Sequence, residues 1–338
     1  FWKNYQDHLA AIIRHKRNHP SILMYSLENE ILHCGGDRFA PECEHRLAEA
    51  GRFVKRLDPT RPIMFDADGD PEGVADVVNL HYPLDFDRQN LWPQCAWWLE
   101  RGMVVRGWPR RFFAWDKKKP LYFGEFLHLQ HYVQADNYTT LLGDEAYRGH
   151  DWAMAHCKAL AWEMQIQAYR GCEVSGMCPW TLTETGDFPS QSNPRYLAVE
   201  RGYQKTAAFM RERHAHFFAG ETVRRTIDLC NDTLRPARLT LRWRLAVGDR
   251  AADSGQRTFS TAPAQRITCA IEVRMPRVTR RTRATLTLEV LDGDRLAFSE
   301  DKRWSVFPRA DLRVPKGLTI ALYDRNGGRM GELLRKAG

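Results

Sequence analysis

Apolar residues first recur at helical spacing over residues 3–16, where Tyr5, Leu9, Ile12 and Ile13 share a face. Asn18-His19-Pro20 ends that helix, because the residue before a proline is pushed out of the helical region. Ser21 to Leu27 is an apolar run opened by Ser21 and broken inside by Ser26, the pattern of a strand covered on both faces. Residues 42–57 return to helical spacing through Leu47, Ala50, Phe53, Val54 and Leu57. After the turn Asp58-Pro59-Thr60-Arg61-Pro62, short strands are predicted at Ile63–Phe65, at Val77–Tyr82 before Pro83, and at Pro120–Phe126. A long helix follows over 151–171, then a strand over Val174–Trp180, then a helix over 196–218. Strands alternating with helices predict a parallel sheet of the α/β class.

Beyond about Phe218 the period changes to two. Leu239, Leu241, Trp243, Leu245 and Val247 alternate with polar residues, as do Ile267, Cys269, Ile271 and Val273, and then Leu286, Leu288 and Val290 before the Asp292-Gly293 turn. This predicts a small antiparallel sandwich over 221–308. Residues 317–324 and the short helix after them read as the opening strand and helix of a further α/β domain. The expected division is therefore 1–220, 221–308 and 309–338.

Two strands of the first region end in carboxylates. Ser21 to Leu27 leads to Glu28-Asn29-Glu30, and Pro120 to Phe123 leads to Gly124-Glu125-Phe126. A carboxylate at the C-terminal end of a buried parallel strand stands where a β/α barrel carries its chemistry. Two such glutamates, Glu30 and Glu125, can form the acid and nucleophile of a glycosidase.

Composition narrows the field. The chain has 338 residues and a net charge of +8. Its arginines are scattered and often alternate with apolar residues, as over 238–245, which predicts a solvated strand face rather than a nucleic-acid surface. The densest positive run, Arg277 to Arg283, reads as a loop between strands. No apolar run is long enough to span a bilayer. The eight cysteines show no CxxC or metal-type spacing, so no disulfide pairing or compartment is selected. Asp66, Asp68 and Asp70 crowd one loop without a complete calcium signature, and read as substrate-hydroxyl ligands or a solvated turn. His128 and His131, on a long loop after Glu125, do not match the zinc-helix spacing and read as lining the aglycone side of such a site. No metal and no cofactor are expected.

Arg17-Asn18-His19-Pro20-Ser21-Ile22 followed by Asn29-Glu30, Lys119-Pro120 before Gly124-Glu125-Phe126, and Trp180 at the next strand exit together resemble glycoside hydrolase family 2. The resemblance covers roughly residues 1–308. It implies strands four to eight of a (β/α)8 TIM barrel, followed by an immunoglobulin-like β-sandwich. The 95 positions between the glutamates suit strands four and seven. Strands one to three and the domains that precede the barrel in that family have no counterpart here. A fragment of this kind leaves apolar strand edges unpaired and is expected to be unstable on its own.

The resemblance implies a retaining exo-β-glycosidase acting on an oligosaccharide or glycoconjugate. Glu125 is then the nucleophile and Glu30 the acid/base. Asn29 binds the sugar 2-hydroxyl, Tyr82 or His81 supports Glu125, and Trp180 stacks under the sugar. Glu28 pairs with an arginine or binds a hydroxyl. Asn193-Pro194-Arg195 lacks the lysine by which the family's glucuronidases grip a carboxylate, which favours a neutral β-galactoside. A non-catalytic carbohydrate-binding relative, or an inactive fragment of such an enzyme, is the alternative.

Overall fold

The computed structural model describes residues 1–32, 40–81, 99, 105–106, 112–113, 115–126, 139, 141–180, 193–309, 317, 322 and 329–336. The chain forms two compact units, Phe1–Lys205 and Thr206–Gly338. The second therefore takes in residues 206–220, ahead of the predicted boundary.

In the first unit α1 (Trp2–Lys16), β1 (Tyr25–Asn29), α2 (Ala40–Leu57), β2 (Ile63–Asp66), β3 (Asp68–Gly69), β4 (Val78–His81), a short hairpin β5 (Val105–Arg106) and β6 (Phe112–Phe113), β7 (Leu121–Phe126), α3 (His150–Gly171), β8 (Gly176–Pro179) and α4 (Pro194–Gly202) follow in order. The main sheet runs β1-β2-β3-β4-β7-β8. The pairs β1/β2, β4/β7 and β7/β8 are parallel, as expected, but two-residue β3 is wedged antiparallel between β2 and β4, so the sheet is mixed. β1 also starts later than the apolar run suggests. Residues 17–21 form turns and 22–24 have no regular structure, with the Ile22 N–H donating to the His19 carbonyl and Arg61 Nε donating to that of Ile22, and Leu23 lies in solvent.

Each face of the sheet is dictated by strand alternation. Tyr25, Leu27, Ile63 and Phe65 pack on Leu9 and Ile13 of α1 and Leu47 and Val54 of α2. Leu121, Phe123, Phe126 and Met177 pack on Trp162, Ile166 and Tyr169 of α3, with the Phe123 and Tyr169 rings 4.5 Å apart. Full burial of each such side chain contributes about 1.5–3 kcal/mol. The alternate residues, Asp66, Asn79, His81 and Gly124, meet on the other face. The register breaks between Ser26 and Asn29, between Leu80 and His81, and between Phe123 and Phe126. Irregularities of this kind re-aim side chains, and all three occur at the ends that carry the carboxylates. Among the described residues no helix is long and apolar enough to cross a membrane.

The predicted helix over 196–218 is corrected. Helix α4 stops at Gly202, and β9 (Thr206–Met210) and β10 (His216–Phe218) follow. Ala207-Ala208-Phe209-Met210 is a short, fully buried run, and pairing with β11 (Thr222–Asn231) overrides the helical preference of its alanines. Strands β12 (Ala237–Val247), β13 (Arg250–Thr261), β14 (Gln265–Arg274), β15 (Thr282–Asp292) and β16 (Arg295–Phe307) complete the second unit. They form sheets of order β10-β16-β15-β12-β13 and β14-β11-β9 around one core containing Phe209, Leu241, Ile271 and Trp304. Of the expected third domain, helix α5 (Arg329–Lys336) is described, and most of residues 317–324 lie outside the described set.

Candidate active site

Three strand ends converge. Glu30 follows β1 in the left-handed backbone region at φ 60°, a conformation that costs a non-glycine residue energy and occurs disproportionately at functional sites. Its N–H donates to the Asp66 carbonyl at the end of β2, at 3.0 Å. His81 ends β4 with no exposed side-chain surface. Its Nδ1 is 2.7 Å from Glu30 Oε1 and 3.7 Å from Glu125 Oε2, and its Nε2 is 3.1 Å from Asp66 Oδ1. The imidazole thus lies among three carboxylates from β1, β2 and β7. Burial pulls its pKa down, but the hydrogen bonds of Asp66 and Glu30, with the charge of Glu125, more than offset this and hold it above the ordinary histidine value.

Gly124 makes this crossing possible. A Cβ there would lie 2.1 Å from Asp66 Oδ1, 2.5 Å from His81 Nε2 and 2.7 Å from Asn79 Oδ1. Asn79 is itself fixed: Oδ1 accepts from the Ala67 N–H and Nδ2 donates to Met64 Sδ. Gly176 serves β8 in the same way, since a Cβ would enter the Tyr122 ring at 2.3 Å. At the margin of the cluster, burial and the charges of Glu125 and Asp66 push the Cys178 thiol up.

Glu30, His81 and Glu125 are therefore brought together. Asn29 is exposed at the end of β1, opposite Asp66 in register. The Trp180 N–H donates to the Phe126 carbonyl at the exit of β8, and the residue is 38% exposed. Tyr82, His128 and His131 lie outside the described residues.

The three aspartates do not share one task. Asp66 faces His81. Asp68 is buried and accepts from the Leu32 N–H, and Asp70 accepts from the Ala75 N–H and Lys119 Nζ. The antiparallel insertion of β3 carries Asp68 inward, an event with no local sequence signal. The charge of Asp68 raises the pKa of Glu28, which the sequence reads as pairing with an arginine or binding a hydroxyl. Asn193 caps α4, its Oδ1 accepting from the Arg195 N–H at 3.0 Å with Pro194 in the first turn. The stretch 193–195 is thus a helix start.

One donor atom each from Glu30, His81 and Glu125 lie within 4.8 Å of one another, a group that could face a cation. However, ligands of a tetrahedral ion at about 2.0–2.2 Å stand roughly 3.3 Å apart. The 2.7 Å between His81 Nδ1 and Glu30 Oε1 is instead a charge-assisted hydrogen bond. The arrangement can hold two carboxyl groups close together beside a shared histidine. This is the equipment for proton transfer and for nucleophilic attack at one carbon.

Residues 1–164 match the family described as Glycosyl hydrolases family 2, TIM barrel domain. A beta-galactosidase of Enterobacter cloacae is 29% identical over 194 residues, covering 57% of this chain and 16% of that protein. Beta-galactosidase 2 of the same organism is 25% identical over 301 residues, covering 81% of this chain and 26% of that protein. The chain therefore spans less than a third of either curated relative. The solved beta-D-mannosidase of Dictyoglomus thermophilum superposes with a TM-score of 0.56 at 14% identity, over 90% of this chain and 40% of that one, a likeness of fold.

Proposed function

Taking as premise that this chain is a relative of glycoside hydrolase family 2, we propose that it carries the two carboxylates of a retaining β-glycosidase. In this reading β1, β2, β4, β7 and β8 are strands four to eight of the barrel, and the second unit is an immunoglobulin-like sandwich. The observation that carries the proposal is the meeting of Glu30 and Glu125, from two strand ends, at one buried histidine. Retaining glycosidases need carboxyl groups about 5–5.5 Å apart, and the grouping of Glu30, His81 and Glu125 donor atoms within 4.8 Å is compatible with that spacing.

The reaction proceeds in two displacements. Glu125 attacks the anomeric carbon as the bond to the leaving oxygen breaks, and Glu30 gives that oxygen its proton. Glu30 then takes a proton from water as the water attacks the same carbon, and the ester bond to Glu125 breaks. His81 is buried against Glu30 and Asp66, so it acts on the carboxylates rather than on the sugar. Asn29 receives the 2-hydroxyl, Tyr82 supports Glu125, and the exposed Trp180 offers its indole face to the pyranose. The names of the two curated relatives favour a terminal β-galactoside as substrate.

The test uses an aryl β-galactoside with a good leaving group. Glu125→Gln abolishes turnover. Glu30→Gln still forms the glycosyl-enzyme from the activated substrate, and added azide restores turnover and yields a β-glycosyl azide. An α-azide, or rescue of Glu125→Gln instead of Glu30→Gln, would reverse or refute the assignment.

A further inference from the structure

We propose that Glu28 and Asp68 form a carboxylic acid–carboxylate pair that clamps the turn after β1 and so fixes the orientation of Glu30. The role in orienting Glu30 rests on the hydrolase reading; the clamp itself does not.

Three consecutive backbone N–H groups follow β1, and each is held from a different place. That of Glu30 donates to the Asp66 carbonyl, that of Ile31 to Glu28 Oε2 at 3.0 Å, and that of Leu32 to Asp68 Oδ2 at 2.7 Å. Successive N–H groups in a turn make a concave site for negative charge. Here two carboxyl groups, from β1 and β3, accept from neighbouring N–H groups of it, and the charge of Asp68 raises the pKa of Glu28. Glu30 sits at φ 60° at the head of this turn. A strained conformation persists only when its surroundings over-determine it, and the two side chains supply that constraint.

The pair cannot hold two charges. Glu28 Oε1 is buried, and among the described residues no donor reaches it. In the proposed pair, a proton on Glu28 makes it a donor toward Asp68. Asp66 of β2 adds a second negative charge nearby, and the Tyr5 hydroxyl of α1 donates to the Leu27 carbonyl beside the pair. Burial first, and then the charge of Asp68, push Glu28 up to about 9, against the Ile31 N–H, which favours the ionised form.

A carboxyl whose value is raised in the folded state binds its proton there while the unfolded chain has released it. Its stabilising effect is complete below the unfolded value of 4.5, shrinks as pH rises, and is exhausted above about 9. Glutamine at position 28 reproduces the protonated form, since its amide donates to Asp68 and its carbonyl accepts from Ile31.

The experiment compares the whole chain as wild type, Glu28→Gln, Glu28→Ala and Asp68→Ala. The melting temperature of Glu28→Gln relative to wild type is expected to rise steadily from pH 5 to pH 9 and then level off. Amide exchange at Ile31 and Leu32 is expected to stay slow in Glu28→Gln. It should become at least tenfold faster at Ile31 in Glu28→Ala and at Leu32 in Asp68→Ala. With an aryl β-glycoside, Glu28→Ala is expected to lose about tenfold in kcat with little change in KM. A melting difference that does not depend on pH, or unchanged exchange in both alanine variants, overturns the proposal. If no variant, wild type included, cleaves any β-glycoside, the hydrolase reading fails, while melting and exchange still decide the clamp.

Discussion

Replacing Gly124 by alanine adds one methyl group at the most crowded point of the site. The new carbon would lie 2.1 Å from Asp66 Oδ1, 2.5 Å from His81 Nε2 and 2.7 Å from Asn79 Oδ1. Carbon and oxygen atoms that are not bonded keep more than about 3 Å apart, so each of three polar groups must give way. None is a loose chain end: Asn79 and His81 are buried and hydrogen-bonded. Overpacking of a well-filled interior costs about 1–3 kcal/mol. Losing the Asp66–His81 bond, which involves a charged partner, adds about 1.5–3 kcal/mol. The expected loss is about 3–5 kcal/mol in the first unit, measured by urea denaturation followed through tryptophan fluorescence. Gly73→Ala is the control. Gly73 has φ 73°, and a methyl group added there would meet nothing within 4 Å, so only the left-handed backbone penalty of about 1–2 kcal/mol applies. A Gly124→Ala loss no larger than that of Gly73→Ala would refute the crowding argument.

Three further substitutions probe other parts of the molecule. His81→Gln removes a group whose pKa is raised in the folded state, so its stabilising effect is complete below about 6.5 and is lost as pH rises through the raised value; the substitution should destabilise more at pH 5.5 than at pH 9 in denaturant melts. Asp228→Ala in the second unit removes a buried carboxylate that binds Arg211, Arg266 and Thr268. With both arginines partly solvated, the expected loss is about 3 kcal/mol by thermal or chemical melting. Asn193→Ala should cost about 1 kcal/mol through loss of the α4 cap, with faster amide exchange at Arg195.

Much of the fold is legible in the hydrophobic pattern because the helices and inner strands bury one side each. The face of α2 carrying Leu47, Ala50 and Val54 can be read directly, as can the alternation of Leu239, Leu241 and Leu245 in β12. What the pattern misses has physical causes. β13 is an edge strand with few buried residues, so it shows no apolar alternation. Its Gly255 is roofed by the Trp243 ring opposite it, a contact across strands with no signal in either segment. β9 is short, alanine-rich and wholly buried, and such a run has no period to distinguish strand from helix. At the candidate site, the strand-terminal positions of Glu30 and Glu125 follow from the sequence. The lateral partners do not. Asp66 reaches His81, and Asp68 reaches Glu28, only through the register of β2, β3 and β4 and the bulges at their ends.

Covalent capture tests the retaining mechanism most directly. The protein is incubated with a 2-deoxy-2-fluoro-β-galactoside carrying a good leaving group, then analysed by intact and peptide mass spectrometry. One fluorosugar per chain is expected, on the peptide containing Glu125, absent in Glu125→Gln and slowed in Glu30→Gln. A folded protein that gains no adduct from this or any other 2-fluoro β-glycoside, or one labelled at a different residue, would contradict the assignment of Glu125 as nucleophile.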